Sequence, residues 1–201
     1  MQREDALWWD EHVQPWIDEV SDRADNGWNW PRIFSVTRLA GEAIGQVPAA
    51  FVAGVECASG EVIPCVMNLL VERYPDLQNH HIDSVFLWYL SPAPTRFFTA
   101  GAGQKIGTIP KALMAIGMDM TITHSYNLMR RGRVGLHASP KGGQALFDWY
   151  LNKLKGGGMN LLSRQKSLPI GFRWLAGNDG RYFFHDENSA LDASRRMDAL
   201  R

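Results

Sequence analysis

Three side chains stand out for proton-transfer chemistry: His137, Glu72 and Tyr150. His137 is the only histidine inside an apolar strand-like run, Val134-Gly135-Leu136-His137-Ala138. An imidazole titrates near neutrality and can accept a proton from a nucleophile. The plainer alternative is a hydrogen-bonded core histidine. Glu72 ends the apolar run that begins at Val62, and a carboxylate at a strand end can also serve as a base, as could Glu56 or Asp83 near other strand ends. Tyr150 follows Trp149 at the end of a helix-like stretch, and a neutral phenol can donate a proton or hydrogen bond to a departing anion. A packed helical tyrosine is its alternative. A fourth feature is the glycine-rich loop Thr99 to Gly107, set before a long helical pattern. Backbone N–H groups at such a junction suit a phosphate, and Lys105 would add a cation; a surface loop is the other reading.

The elements that must position these groups follow from periodicity and punctuation. Leu7, Trp8, Val13, Trp16, Ile17 and Val20 recur at helical spacing, giving an amphipathic helix from Asp5 to about Asp22, kinked at Pro15. Asp25-Asn26-Gly27 is a turn. Trp30-Pro31 starts a second helix, which ends near Gly41 to Gly45. Ala49 to Glu56 and Val62 to Val71 read as a hairpin around Ala58-Ser59-Gly60, and Ser84 to Leu90 as a third strand stopped by Pro92 and Pro94. A long helix from Lys111 to Arg130 closes on Arg130-Arg131-Gly132, cations and a glycine as a helix C-terminus prefers. After the His137 strand and the Tyr150 helix, two strands, Gly171 to Leu175 and Arg181 to His185, flank Gly177-Asn178-Asp179-Gly180 as a hairpin. A closing helix runs from Asn188 to Arg201.

Composition narrows the function classes. A chain of 201 residues, 45% hydrophobic and 21% charged, suits one domain with one substantial core. Residues 1–45 would be N-terminal helices and residues 46–201 the sheet-bearing core. Lys+Arg and Asp+Glu are both 21, so no global basic field draws nucleic acid. No secretory leader or bilayer-spanning run is visible, which makes a cytoplasmic protein without a membrane partner the expectation. Cys57 and Cys65 lack a second Cys/His pair at zinc spacing and read as free thiols; His80-His81 gives no defined metal geometry, so no metal site is expected. Five of the eight tryptophans (Trp8, Trp9, Trp16, Trp28, Trp30) fall in the first 30 residues. Aromatic clusters are most often core; the sharper alternative is a partner or homodimer surface.

The order of helix, helix, three strands, glycine loop, long helix, strand, helix with Trp149-Tyr150, and final strands resembles the GCN5-related N-acetyltransferase superfamily. The likeness is carried most by Gly132 to Tyr150 and spans roughly half the chain, without the usual first strand. It implies a mixed α/β fold whose mostly antiparallel central sheet is flanked by helices, here with an extra Trp-rich N-terminal helix. It implies acetyl-CoA as co-substrate and direct transfer of the acetyl group to a small-molecule or protein amine. Tyr150 would protonate the CoA thiolate, with Glu72 or His137 as base. Tyr89 and Leu90 would offer backbone to the pantetheine. Gln104, Lys105, Ile106 and Gly107 resemble the opening of the family's phosphate signature, which then departs at Ile109 and Pro110. That departure leaves a second expectation open, a catalytically silent relative acting as a binding or interaction module.

Overall fold

A computed structural model describes residues 3–43, 45–46, 48–56, 59–79, 81–101, 113–153, 159–161 and 179–197. The N-terminal segment forms α1 (Arg3–His12) and α2 (Gln14–Asp18) rather than one kinked helix. Pro15 lies in the first turn of α2, where its missing N–H costs nothing, and the chain restarts there. The buried stripe is Ala6, Trp9, Val13 and Ile17, whereas Leu7 is 45% exposed and Trp8 and Trp16 are half-buried. Val13 and Ile17 lie on the inward face as the periodicity predicts, but within α1 that face is completed by Ala6 and Trp9 in place of Leu7 and Trp8. α3 (Trp30–Ala43) begins where Asn29 Oδ1 accepts the Arg32 N–H at 2.8 Å, and Asp10 of α1 accepts the Trp30 N–H at 3.0 Å.

Among the described residues the sheet holds six strands in the order β1-β2-β3-β4-β6-β5: β1 (Pro48–Glu56), β2 (Val62–Pro75), β3 (Asp83–Pro92), β4 (Val134–His137), β5 (Asn160–Leu161) and β6 (Tyr182–His185). All neighbours are antiparallel except β3 and β4. β2 is buried without a break from Cys65 to Val71 because both of its faces are covered. Met67 and Leu69 pack with Trp9, Val13, Ile17 and Trp30, while Leu70 packs with Ala115, Met118 and Ile122 of α4 (Leu113–Asn127). The result is a mixed α/β fold with helices on both faces of a mostly antiparallel sheet.

Close approach sets the position of α4. A Cβ on Gly117 would stand 2.5 Å from Leu90 Cδ1 and 2.9 Å from both Asn68 Oδ1 and Val66 Cγ1. Asn68 Nδ2 donates to the Gly117 carbonyl at 2.6 Å, which fixes the helix register on the sheet. After α4 the chain reverses through Gly132, whose φ of +74° and contacts with Tyr126 and Ala190 exclude a side chain. β4 then leads through a turn (Pro140–Gly142) into α5 (Gly143–Asp148), which widens into a π-helical turn at Trp149–Lys153. α6 (Glu187–Met197) closes the described chain, packing Ala190 and Ala193 into the core beside α4. The strand expected at 171–175 lies outside the described residues, and β6 pairs with β4 on one side and β5 on the other.

Candidate functional site

Parallel pairing of β3 with β4 runs only from Val85–Val134 to Leu87–Leu136. β3 continues to Pro92, so among the described residues its β4-facing edge beyond Leu87 has no strand partner. The break coincides with a bulge. Leu87 pairs with Leu70 and Tyr89 with Leu69, which leaves Trp88 as the extra residue. The bulge sets the Trp88 and Tyr89 rings side by side, 6.4 Å apart and 30° from parallel, where a regular strand would send them to opposite faces. A cavity of about 360 Å³ fills the space between the diverging strand ends. Leu87, Leu90, Leu136, Met114 and Leu146 make it largely apolar, and His137 and Tyr150 both face it.

Tyr150 is 5% exposed and sits on the π-helical turn, a distortion frequent at functional sites. Its ring packs against Phe183 at 5.7 Å and Trp149 at 5.1 Å. Burial pushes its phenol well above the ordinary tyrosine value, so it stays neutral throughout the physiological range. His137 Nε2 donates to Asp179 Oδ2 at 2.8 Å, and its ring packs on Tyr182 at 4.6 Å. The carboxylate fixes the Nε2–H tautomer and leaves Nδ1 as the basic nitrogen. Asp179 is itself held, because its Oδ1 accepts the Arg181 N–H at 3.0 Å. The Arg181 guanidinium then donates to the Ala138 carbonyl at 2.8 Å and the Gly143 carbonyl at 2.7 Å, and lies 5.2 Å from the centre of the Phe147 ring. One arginine thus ties the turn after His137 to β6.

The N-terminal segment forms the opposite wall. Asp25 is 4% exposed, and its charge is met by a two-pronged pair with Arg23 (2.8 and 2.6 Å) and by the Ser91 hydroxyl at 2.7 Å. Arg23 also donates to the Pro92 carbonyl at 2.7 Å, so residues 22–28 are clamped to the free end of β3. Lys141 Nζ donates to the Asn26 carbonyl at 3.1 Å, linking this wall to the turn before α5.

Of the residues singled out in the sequence, His137, Tyr150 and Leu90 line the same cavity. Tyr89 lies next to it, against Trp28 at 4.8 Å, and burial raises its phenol. Glu72 stands apart: His124 Nε2 of α4 donates to its Oε1 at 2.7 Å, and Glu72 does not line this cavity. Gln104, Lys105, Ile106 and Gly107 lie outside the described residues. Sequence reading missed Asp179 and the Arg23–Asp25–Ser91 cluster. Both aspartates sit in stretches read only as turns, and their partners are 42 and 66 residues away. No protein-family model, curated protein or solved structure matches the chain.

Proposed function

We propose that the chain is an acyl-CoA-dependent N-acyltransferase of the GCN5-related type, with acetyl-CoA the simplest donor. The observation that carries this reading is the opening between β3 and β4, with a bulge at Trp88 and one cavity that holds both His137 and Tyr150. The mostly antiparallel sheet with helices on both faces supports the reading. The apolar cavity suits a pantetheine arm and an acyl group, and the unpaired edge of β3 from Trp88 to Leu90 suits the pantetheine amides. Bound there, acetyl-CoA supplies an activated thioester carbonyl.

The chain's own residues then have defined tasks. His137 Nδ1 takes the proton from the acceptor nitrogen as the N–C bond forms, and Asp179 steadies the resulting imidazolium. Tyr150 O–H donates to the sulfur as the C–S bond breaks. A thiol ionises near ~8.5, below the raised Tyr150 phenol, so Tyr150 hydrogen-bonds the departing thiolate more readily than it gives up its proton. His137 returns its proton to solvent and the sulfur collects one, which balances the reaction.

An interaction module with a filled groove is the rival class, and the open volume of about 360 Å³ favours a ligand. Calorimetric titration with acetyl-CoA, paired with a thermal shift, tests the reading. Binding in the micromolar range is expected, and no heat with no shift at millimolar ligand would overturn it.

A further inference from the structure

A second recess of about 210 Å³ adjoins the cavity and shares Trp28, Trp88, His137 and Ser139 with it. Its walls are aromatic: Trp28, Phe86, Trp88, Tyr89 and Tyr182. The Trp88 bulge creates it by placing two consecutive rings on one side, and the clamped 22–28 segment delivers Trp28 edge-on to Tyr89 at 88°. Among the described residues no lysine or arginine lines it. Tyr182 is buried, with its ring 4.6 Å from that of His137. The His137–Asp179 pair stands where the recess meets the cavity.

Size and chemistry select the occupant. An apolar cavity of roughly 150 Å³ accommodates a benzene ring, so about 210 Å³ holds one ring with a short arm. Faces of Trp and Tyr attract both flat rings and ammonium groups. We propose that this recess is the acceptor subsite and that it takes a small primary amine carried on a single aromatic ring, an arylalkylamine, with its nitrogen directed at His137. This assignment rests on the acyltransferase reading and names its acceptor class.

The test uses the full chain with phenethylamine, n-propylamine and a lysine-containing peptide as amines. Turnover is followed by release of the CoA thiol, and phenethylamine binding is measured separately by calorimetry without acetyl-CoA. Phenethylamine should exceed both other amines in kcat/KM by tenfold or more. Tyr89→Leu should weaken its binding at least tenfold. Trp28→Leu, on a segment outside the sheet, should weaken it severalfold and carries the test if Tyr89→Leu melts early. If acetyl-CoA binds and the peptide lysine is the better acceptor, or both variants bind phenethylamine as wild type does, the arylalkylamine subsite is wrong and the acyltransferase reading stands. If phenethylamine binds in a manner sensitive to both variants but acetyl-CoA does not bind, the recess is an amine site and the acyltransferase reading falls.

Discussion

His185 ends β6 in the core at 1% exposure; the Ser189 hydroxyl lies 3.2 Å from Nδ1, and Nε2 has no partner. Burial holds its pKa down to about 4 from an ordinary 6.5, against the smaller opposing pull of Asp186. The unfolded chain therefore binds a proton between pH 6.5 and 4 that the folded chain refuses. Stability contributed by neutral His185 is complete above pH 6.5 and is lost as pH falls through that window. The full difference corresponds to about 3 kcal/mol, and about 2 kcal/mol is gone by pH 5. Against a total of roughly 5–15 kcal/mol, that is a large fraction. Asp186 is also desolvated, but hydrogen bonds from Ser189 and the Asn188 N–H outweigh this and lower its pKa, so its own loss comes further into acid. Urea unfolding at pH 7.5, 6.5, 5.5 and 5.0 should show wild type losing about 2 kcal/mol more than His185→Leu, which is similar in volume and does not titrate. The other histidines are common to both proteins and cancel in the difference. Parallel loss in the two proteins would mean that water or a rearrangement already solvates this imidazole, and the argument from burial would be wrong.

Tyr150→Phe should lower kcat by about 10–100-fold while leaving the melting temperature nearly unchanged, the scale of one hydrogen bond to a charged group; a large fall in stability would instead mark a structural hydroxyl. Asp179→Asn should reduce kcat/KM by about 10–100-fold, and an unchanged kcat/KM would remove the His137–Asp179 pair from the reaction. Trp9→Ala should cost about 3–5 kcal/mol in urea unfolding, whereas Leu7→Ala should stay within about 0.5 kcal/mol. Gly117→Val should destabilise by about 1–3 kcal/mol, measured in the same way, because the added methyl groups push α4 off Val66 and Leu90.

Elements governed by local rules were legible. The β2 run, the proline stop after β3 and the glycine at the end of α4 each follow from propensity or sterics within a few residues. The inward face of α1 was harder to read, since Leu7, Trp8 and Trp9 are consecutive and only contact with Val13, Ile17 and Trp30 decides which is buried. His137 and Tyr150 were legible as types because an apolar strand and an aromatic helix end are local features. Asp179 was not, because its importance comes from pairing across β4 and β6 with a residue 42 positions earlier. Glu72 shows the converse. Its type and strand-end position suited a base, but the side chain faces α4 and His124 reaches it first.

The cavity itself arises from one mismatch. β4 pairs with β3 over three residues, so β3 carries five residues, Trp88 to Pro92, past the last parallel pair. An unpaired strand edge invites another strand unless something turns it away. Here the bulge at Trp88 twists it, and Arg23 caps its last carbonyl from a segment anchored through the buried Asp25. The partly buried Arg23–Asp25 pair is a poor device for stability alone, since apolar residues of similar size would serve as well. What the pair does is clamp residues 22–28 to the end of β3 and set Trp28 against Tyr89. The same few contacts therefore border both the cavity and the aromatic recess, with His137 lining each.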